Sequence, residues 1–305
     1  MAPQYSFHVS LILFSALILT GCEKSDNPAA TGYTKNEIII KIGAAAPLTG
    51  PQSHIGKDNE NGTRMAIDEA NARGVVIAGK KVRFELLSED DQADPRVSTV
   101  VAQKLVDAKV SGIIGHLNSG TSIPASKIYS DNGIPQISPS ATAVSYTRNG
   151  FKTTFRVMAN DAQQGKALGG FATKALGARK IAVIDDRTAY GQGLAQEFIT
   201  AAQAGGAQII AHEYTTDRAM DFTAVLTSIK GKHPDLIFFG GMDPQGVPMI
   251  KQLRALGLNA KFMMGDGGYT PKLIELTGNA AEGVYASLPG VPLDKMPGEI
   301  GRAHV

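Results

Sequence analysis

The 305-residue sequence contains no tryptophan and a single cysteine, and aromatic residues make up only 6% of it. One cysteine excludes a disulfide framework and any metal site built from several cysteines. So few aromatic side chains argue against an extended surface on which nucleic-acid bases stack. The net charge is only +2, and no run of lysine and arginine forms a basic stripe. A nucleic-acid partner is therefore not expected.

The cysteine directly follows the apolar segment "VSLILFSALIL", residues 9–19. This segment is too short to cross a bilayer but has the length of a signal-peptide core. It leads into "LTGC", which resembles a bacterial lipobox, although lysine and arginine are missing before the apolar run. The resemblance implies a signal peptide over 1–22, a lipid anchor at Cys22 and a polar tether over 23–36. We expect export to the periplasm or the extracytoplasmic face of a bacterial membrane; the alternative is a buried segment with a chance cysteine.

From Glu37 onward, apolar runs alternate with segments of helical periodicity. Strand-like "EIIIKIGAAAP" precedes a helical pattern that stops at Gly74, and "KKVRFELLSEDD" precedes one that opens with Pro95. Such βαβα alternation predicts a mainly parallel sheet with helices on both faces. The pattern starts again after residues 156–161, through "RKIAVIDD", "PDLIFFGG" and "AKFMMGD". The sequence thus predicts two α/β lobes, 37–158 and 159–287, with ligand-facing loops at the C-terminal ends of the strands.

The last residues do not fit this pattern. "EIGRAHV", Glu299 to Val305, resembles a translated sequencing-adapter fragment rather than a protein terminus. We therefore expect the natural sequence to break off near Pro297. Residues 288–305 are interpreted as a truncated return crossing between the lobes with an artefactual tail.

Several nucleotide-binding and catalytic signals are incomplete. "GVVIAGKK", Gly74 to Lys81, has P-loop spacing but ends in lysine where magnesium needs Ser or Thr, so a turn is the simpler interpretation. "YGQGLAQ" begins as G-x-G but has Gln196 instead of a third glycine. No G-x-S-x-G elbow surrounds Ser119 or Ser138. We therefore predict no enzyme and no cofactor.

Two other polar groups have a simpler structural interpretation. The six histidines never pair at metal-ligand spacing, and His116, which follows a predicted strand, is interpreted as structural rather than as a base for a serine. The acidic stretch "SEDDQADP", Glu89 to Asp94, is interpreted as a solvated turn at a strand end rather than as a divalent-ion site. No metal is expected.

Polar loops follow the predicted strands, most densely in "GHLNSGTSIPASKIYSDNGIPQISPSAT", residues 115–142. Four stretches resemble the leucine/isoleucine/valine-type periplasmic binding proteins of ABC transporters. They are this one, "GAAAPLTGPQSHIGKDNENGTRMAIDEANARG", "KIAVIDDRTAYGQGLAQEF" and "DFTAVLTSIKGKHPDLIFFGG". The resemblance covers nearly everything from Glu37 to Pro289. It implies a two-lobed type I periplasmic binding protein fold that closes over a small amino acid or amide. It also implies ABC permease subunits as partners.

The resemblance assigns six ligand-binding residues: Ser119, Ser140, Ala141, Thr142, Tyr190 and Asp266. The hydroxyls of Ser119 and Thr142, with main-chain groups of the same loops, would bind the ligand carboxylate. Asp266 would accept the ammonium, and Tyr190 would pack on the ligand from the second lobe. Donors at helix N-termini suit a carboxylate and a carboxylate suits an ammonium. Taken alone, Ser119 and Thr142 would cap helices, Asp266 would be a turn residue and Tyr190 a surface aromatic.

Two positions depart from the family pattern. Ile55 and Met242 fall where leucine-binding members have a tryptophan and another aromatic residue around the ligand side chain. Two lost rings change the shape and polarisability of that wall. We therefore expect an amino acid, branched-chain or related. The alternatives are a ligand-binding sensor for amino acids or small amides and, less favoured by the incomplete glycine motifs, a Rossmann-type enzyme.

Overall fold

The computed structural model describes residues 37–291. The predicted signal peptide, the lipid anchor at Cys22, the tether and the "EIGRAHV" tail lie outside these residues. None of the helices within 37–291 is long and apolar enough to cross a membrane.

The first lobe contains ten elements in chain order: β1 (Glu37–Ala46), α1 (Ser53–Arg73), β2 (Val76–Ile77), β3 (Lys80–Asp90), α2 (Pro95–Asp107), β4 (Gly112–Gly115), α3 (Ser119–Asp131), β5 (Gln136–Ser138), α4 (Val144–Thr147) and β6 (Thr154–Arg156). Its six strands form one sheet in the order β2-β3-β1-β4-β5-β6. All neighbours are parallel except β2 and β3, which form a hairpin.

The second lobe contains ten helices and strands: α5 (Asp161–Lys174), β7 (Lys180–Asp185), α6 (Ala189–Ala204), β8 (Gln208–Tyr214), α7 (Thr223–Lys230), β9 (Leu236–Gly240), α8 (Asp243–Ala255), β10 (Lys261–Met264), α9 (Pro271–Thr277) and β11 (Val284–Ala286). Short 3-10 turns occupy Asp266–Gly268 and Gly278–Ala281. The five strands form an all-parallel sheet in the order β11-β10-β9-β7-β8.

Local sequence explains where these elements begin and end. Gly74 ends α1 in the left-handed conformation, with φ of 68°. Asp94 caps α2, and Pro95 occupies its first turn. Ala78 and Gly79 both have positive φ and turn β2 into β3. "GVVIAGKK" is therefore a hairpin turn, as interpreted from the sequence.

The second sheet has the more continuous core. β9 is buried along its whole length, and all of β7 except Lys180 is buried. Helices cover both faces of such a sheet, which explains the unbroken apolar runs "IAVI" and "LIFF". Phe198 of α6 stacks on Phe238 of β9 with ring centroids 4.0 Å apart. The predicted α/β fold with two mainly parallel sheets is confirmed.

Two chain segments link the lobes. One runs from β6 into α5, and the other follows β11. They meet where the Ala159 N–H donates to the Pro289 carbonyl over 3.1 Å. The lobes also share a hydrophobic cluster, because Ala46 and Leu117 of the first lobe pack with Tyr190 and Met242 of the second. The two lobes are thus in contact on either side of the cleft. The exact lobe boundaries at 158/159 and 287/288 stay predictions.

Candidate functional site

Ser119 is the first residue of α3, which follows β4, and Thr142 lies in the loop after β5; both side chains are buried. Neither hydroxyl caps a helix, because Asn118 precedes α3, Ala143 precedes α4, and neither helix has a side-chain cap. Ser119 Oγ accepts from the Ala143 N–H over 3.1 Å. The Thr142 hydroxyl is buried with no hydrogen-bonding partner among residues 37–291. Thr142 thus offers a polar group that the protein itself does not satisfy.

The other predicted loop residues are already bonded within the first lobe. Ser138 Oγ donates to the His116 carbonyl (2.7 Å) and accepts from the Ala141 N–H (2.8 Å). The Ser140 hydroxyl donates to the Leu117 carbonyl over 2.9 Å. These bonds hold the loop in shape. Contacts from Ser140 and Ala141 to a ligand stay predictions.

Arg156, at the end of β6, fixes the same loop through its carbonyl groups. Its Nη1 donates to the Ala141 carbonyl (2.8 Å) and its Nη2 to the Ala143 carbonyl (2.7 Å). Between them, the Thr142 carbonyl accepts from the Asp161 N–H over 2.9 Å. Three consecutive carbonyls therefore bind donors from the segment that links the lobes. The N–H groups of Ser140, Ala141 and Ala143 also donate within the first lobe, so the Thr142 hydroxyl is the side-chain group that this loop leaves unsatisfied among residues 37–291.

The opposite wall of the cleft is acidic. Asp266 Oδ1 accepts from the Tyr190 hydroxyl (2.8 Å) and from Gln164 Nε2 (2.9 Å). The Tyr190 hydroxyl in turn accepts from the Gly267 N–H over 2.9 Å. Tyr190 is 6% exposed, so it is not a surface aromatic. Two predicted ligand contacts, Tyr190 and Asp266, thus form one hydrogen-bonded unit, and their contact to a ligand stays a prediction.

The sequence reasoning missed Asp161, the first residue of α5. It is fully buried, and neither carboxylate oxygen has a hydrogen-bonding partner among the described residues. Burial raises the pKa of Asp161 to about 7; the charge of Asp266 adds to the rise, while the Thr142 hydroxyl and the Arg156 guanidinium only partly offset it. The available signal was the i, i+3 spacing of Asp161 and Gln164, which places both on one face of α5.

The electrostatics of this wall favour a cation. Burial raises the pKa of Asp266 as well, although the hydrogen bonds from Gln164 and Tyr190 lower it. Desolvation and mutual repulsion both disfavour two charged carboxylates, so an ammonium placed beside Asp161 and Asp266 would relieve both. The unsatisfied Thr142 hydroxyl lies beside Asp161, in a loop that bonds to Ser119 at the start of α3, and a helix N-terminus favours an anion. The cleft thus combines a place for a cation with a place for an anion.

The two predicted pocket residues are also brought together. Ile55 lies on α1 and packs against the cluster that contains Met242 and Tyr190. Met242 precedes α8 and is 9% exposed. Tyr190 and Met242 border a cavity of about 410 Å³ whose polar lining comes from both lobes, including Asn118 and Thr188. Whether Ile55 and Met242 contact a ligand side chain stays a prediction.

The structure also shows the surroundings of His116 and of the acidic stretch Glu89 to Asp94. His116 is fully buried; its Nδ1 lies 2.7 Å from Asp91 Oδ2 and its Nε2 3.1 Å from the Tyr129 hydroxyl. The structural interpretation of His116 therefore fits. Asp94 caps α2, but Asp91 is fully buried, so the interpretation of the stretch as a solvated turn is wrong for Asp91. Within 37–291 no three His, Cys, Asp or Glu side chains lie together as metal ligands.

Comparison with known proteins gives a consistent picture. The family described as periplasmic binding protein matches residues 39–305. A Leu/Ile/Val-binding protein homolog 1 of Brucella abortus (strain 2308) is 36% identical over 255 residues, which are 84% of this chain and 68% of that protein.

Two solved structures extend the comparison. The substrate-binding protein LivJ of a Streptococcus pneumoniae branched-chain amino acid transporter, in complex with isoleucine, is 28% identical with a TM-score of 0.73. The match covers 82% of this chain and 70% of the LivJ chain. An ABC-transporter solute-binding protein of Rhodopseudomonas palustris BisB5, in complex with 3,4-dihydroxybenzoic acid, is 27% identical with a TM-score of 0.69. This match covers 80% of this chain and 66% of the Rhodopseudomonas protein. The chain thus spans about two thirds of the length of these three proteins.

Proposed function

We propose that this chain, which belongs to the periplasmic binding protein family, binds a zwitterionic amino acid in the cleft between its lobes. Its role is to deliver that amino acid, branched-chain or related, to the permease subunits of an ABC importer. The observation that carries the proposal is the pair of buried carboxyls, Asp161 and Asp266, with the unsatisfied Thr142 hydroxyl beside Asp161. An α-amino acid supplies an ammonium for the carboxyls and a carboxylate for the hydroxyl.

The relatives support the amino-acid class. The Brucella relative is named for leucine, isoleucine and valine, and the Streptococcus neighbour holds isoleucine. Ile55 and Met242 contribute apolar, non-aromatic side chains to the interlobe cluster, which suits an aliphatic ligand side chain. An export signal ending in Cys22 fits the same role, with the protein anchored by lipid at the extracytoplasmic face of the membrane.

An aromatic carboxylate is the second ligand class to consider, because the Rhodopseudomonas neighbour holds 3,4-dihydroxybenzoic acid. Such a ligand carries no ammonium. It would leave the carboxyls of Asp161 and Asp266 buried without a cation, which is unfavourable. The acidic wall therefore favours the amino acid. A sensor for amino acids would use the same cleft and differs in its partner rather than in its ligand.

Isothermal titration calorimetry tests the ligand class directly. Leucine, isoleucine and valine are titrated beside two leucine analogues, 3-methylbutylamine without the carboxylate and 4-methylpentanoate without the ammonium. We expect a Kd of about 1 μM for at least one amino acid, roughly −8 kcal/mol. Each analogue should bind at least ~30-fold more weakly, because it leaves one buried polar group without its partner.

The surface variant Asp131→Asn is the control, because Asp131 is exposed at the end of α3 and forms its ion pair with Lys127 of the same helix. It removes one carboxylate without touching the cleft, so its affinities should equal those of the wild type. The proposal is overturned if 4-methylpentanoate or 3,4-dihydroxybenzoate binds as tightly as the best amino acid.

A further inference from the structure

A hydrogen bond between His54 and Asp243 joins the two lobes beside the predicted side-chain pocket. His54 Nε2 of α1 lies 2.8 Å from Asp243 Oδ2 of α8. The Asp243 side chain is 2% exposed and that of His54 30%. The Thr270 hydroxyl donates to the same oxygen of Asp243 over 2.7 Å. The other oxygen, Oδ1, is buried without a partner within residues 37–291.

The pair is attached to the two pocket residues through the chain. His54 directly precedes Ile55, and Asp243 directly follows Met242. Ile55 and Met242 belong to the same interlobe cluster. The distance between His54 and Asp243 and the width of the predicted pocket therefore change together when the lobes move.

We propose that His54 and Asp243 form a latch that closes the lobes and determines which ligand side chains are accepted. The proposal rests on the amino-acid function given above. An aliphatic side chain that fits between Ile55 and Met242 lets the two latch residues come within hydrogen-bonding distance. A bulkier side chain holds these walls apart, and the His54–Asp243 contact is lost. Both act as positioning residues that convert side-chain size into affinity.

The burial of Asp243 makes this contact worth more than an ordinary surface pair. Without His54, Thr270 is the remaining side-chain donor to a carboxylate that stays buried at the start of α8. Removing a hydrogen-bonding partner from a buried carboxylate is costly. An ion pair between the lobes, Arg218 with Asp94, spans 3.8 Å, and its arginine side chain is 83% exposed. Pairs of that kind contribute little, so Arg218 provides a matched control.

The test measures Kd by calorimetry for valine, leucine and phenylalanine in the wild type and three variants: His54→Ala, His54→Gln and Arg218→Gln. We expect His54→Ala to weaken binding of the best aliphatic ligand by about 10-fold, because the latch contact is lost. Phenylalanine binding should change less than about 2-fold, since that ligand never allowed the contact. His54→Gln keeps a donor for Asp243 and should restore most of the affinity, and Arg218→Gln should behave as the wild type.

Small-angle X-ray scattering supplies a readout that simple destabilisation would not reproduce. The decrease in radius of gyration on adding leucine should be smaller for His54→Ala than for the wild type. Equal weakening of all three ligands, or unchanged affinities, in His54→Ala overturns the latch while leaving the amino-acid function intact. If the folded wild type binds no amino acid at all, the proposed function fails and the latch fails with it.

Discussion

At the scale of single residues, Asp161 is the side chain whose position is hardest to explain without a ligand. It is fully buried, and both carboxylate oxygens have no hydrogen-bonding partner within residues 37–291. A buried polar group without a partner is costly, and natural structures contain few of them. Such a residue persists where its chemistry is needed. We propose that the chemistry needed here is the binding of a ligand ammonium.

Replacing Asp161 with asparagine separates binding from stability. The amide has nearly the same shape but no negative charge, so we expect Asp161→Asn to weaken amino-acid binding by about 100-fold. Calorimetry with the best amino acid measures this loss. The exposed Asp131→Asn variant serves as the control. Wild-type affinity in Asp161→Asn would remove Asp161 from the ligand site.

The same variant should be more stable than the wild type at high pH. Burial raises the pKa of Asp161 from 3.8 to about 7, so the folded protein favours the neutral carboxyl. The stability from this group is fully present below pH 3.8 and is lost as pH rises through about 7. At pH 8, Asp161→Asn should therefore gain up to ~4 kcal/mol in the free energy of unfolding. Urea titrations at pH 8 and pH 4 check this, because the gain should vanish at the lower pH.

The hydroxyls show what sequence reasoning at this scale can and cannot reach. The family resemblance selected both Ser119 and Thr142 as donors to the ligand carboxylate. In the structure, the Ser119 hydroxyl is bonded to Ala143, whereas that of Thr142 has no partner among the described residues. Which hydroxyl is left free depends on contacts between loops that are distant in sequence. Asp161 was missed for the same reason: it was visible only as the start of a helix.

At the scale of helices and strands, the acidic wall depends on the close approach of α5 and α6. α5 carries Asp161 and Gln164, and α6 begins with Ala189 and Tyr190. The backbones come close because α5 has glycine where it faces α6. A Cβ added at Gly165 or Gly169 would lie within 3.0 Å of α6 backbone atoms. These glycines therefore set the distance between helices that carry the site.

The pair Gly169 and Gly170 tests this packing within one turn of α5. In Gly169→Ala, the new Cβ would lie 2.6 Å from the Ala201 Cβ and 2.7 Å from the Ala202 nitrogen. Because the backbone of α6 must shift, we expect a loss of about 1–3 kcal/mol in the free energy of unfolding. Chemical denaturation measures the loss. Amino-acid affinity should fall as well, because the shift moves the helix that begins with Tyr190.

Gly170→Ala is the matched control, because nothing lies within 4 Å of a Cβ at that position. Alanine favours a helix interior over glycine, so this variant should gain roughly 0.5–1 kcal/mol. Its affinity should not change. If both variants have the same stability, the glycines of α5 do not control its distance from α6.

At the scale of the whole molecule, the alternation of strands and helices was enough to predict two α/β lobes with ligand-facing loops at the strand ends. The turn at Ala78–Gly79 and the start of α2 at Pro95 could also be predicted from the sequence, because both depend on residues that are neighbours in the chain. The interlobe pair of His54 and Asp243 was not visible. Its two residues are 189 positions apart, and only the packing of one lobe on the other brings them together.

Ligand binding by the whole cleft should be linked to proton release. With a pKa of about 7, the Asp161 carboxyl is mostly protonated in mildly acidic solution. An ammonium binds its ionised form, so a bound amino acid lowers the pKa of Asp161 and displaces the proton. The raised pKa of Asp266 acts in the same direction. We therefore expect affinity to rise by about 10-fold or more between pH 5.5 and pH 7.5, because the free ligand stays zwitterionic over this range.

Calorimetry in buffers with different ionisation enthalpies measures this linkage. Near pH 6 the apparent binding enthalpy should vary with the buffer, since each bound amino acid releases up to one proton from Asp161. The variation should disappear in Asp161→Asn and persist in the control Asp131→Asn. A wild-type affinity that is constant from pH 5.5 to 7.5 would show that Asp161 does not face the ligand charge. In that case the ammonium would have to bind elsewhere in the cleft.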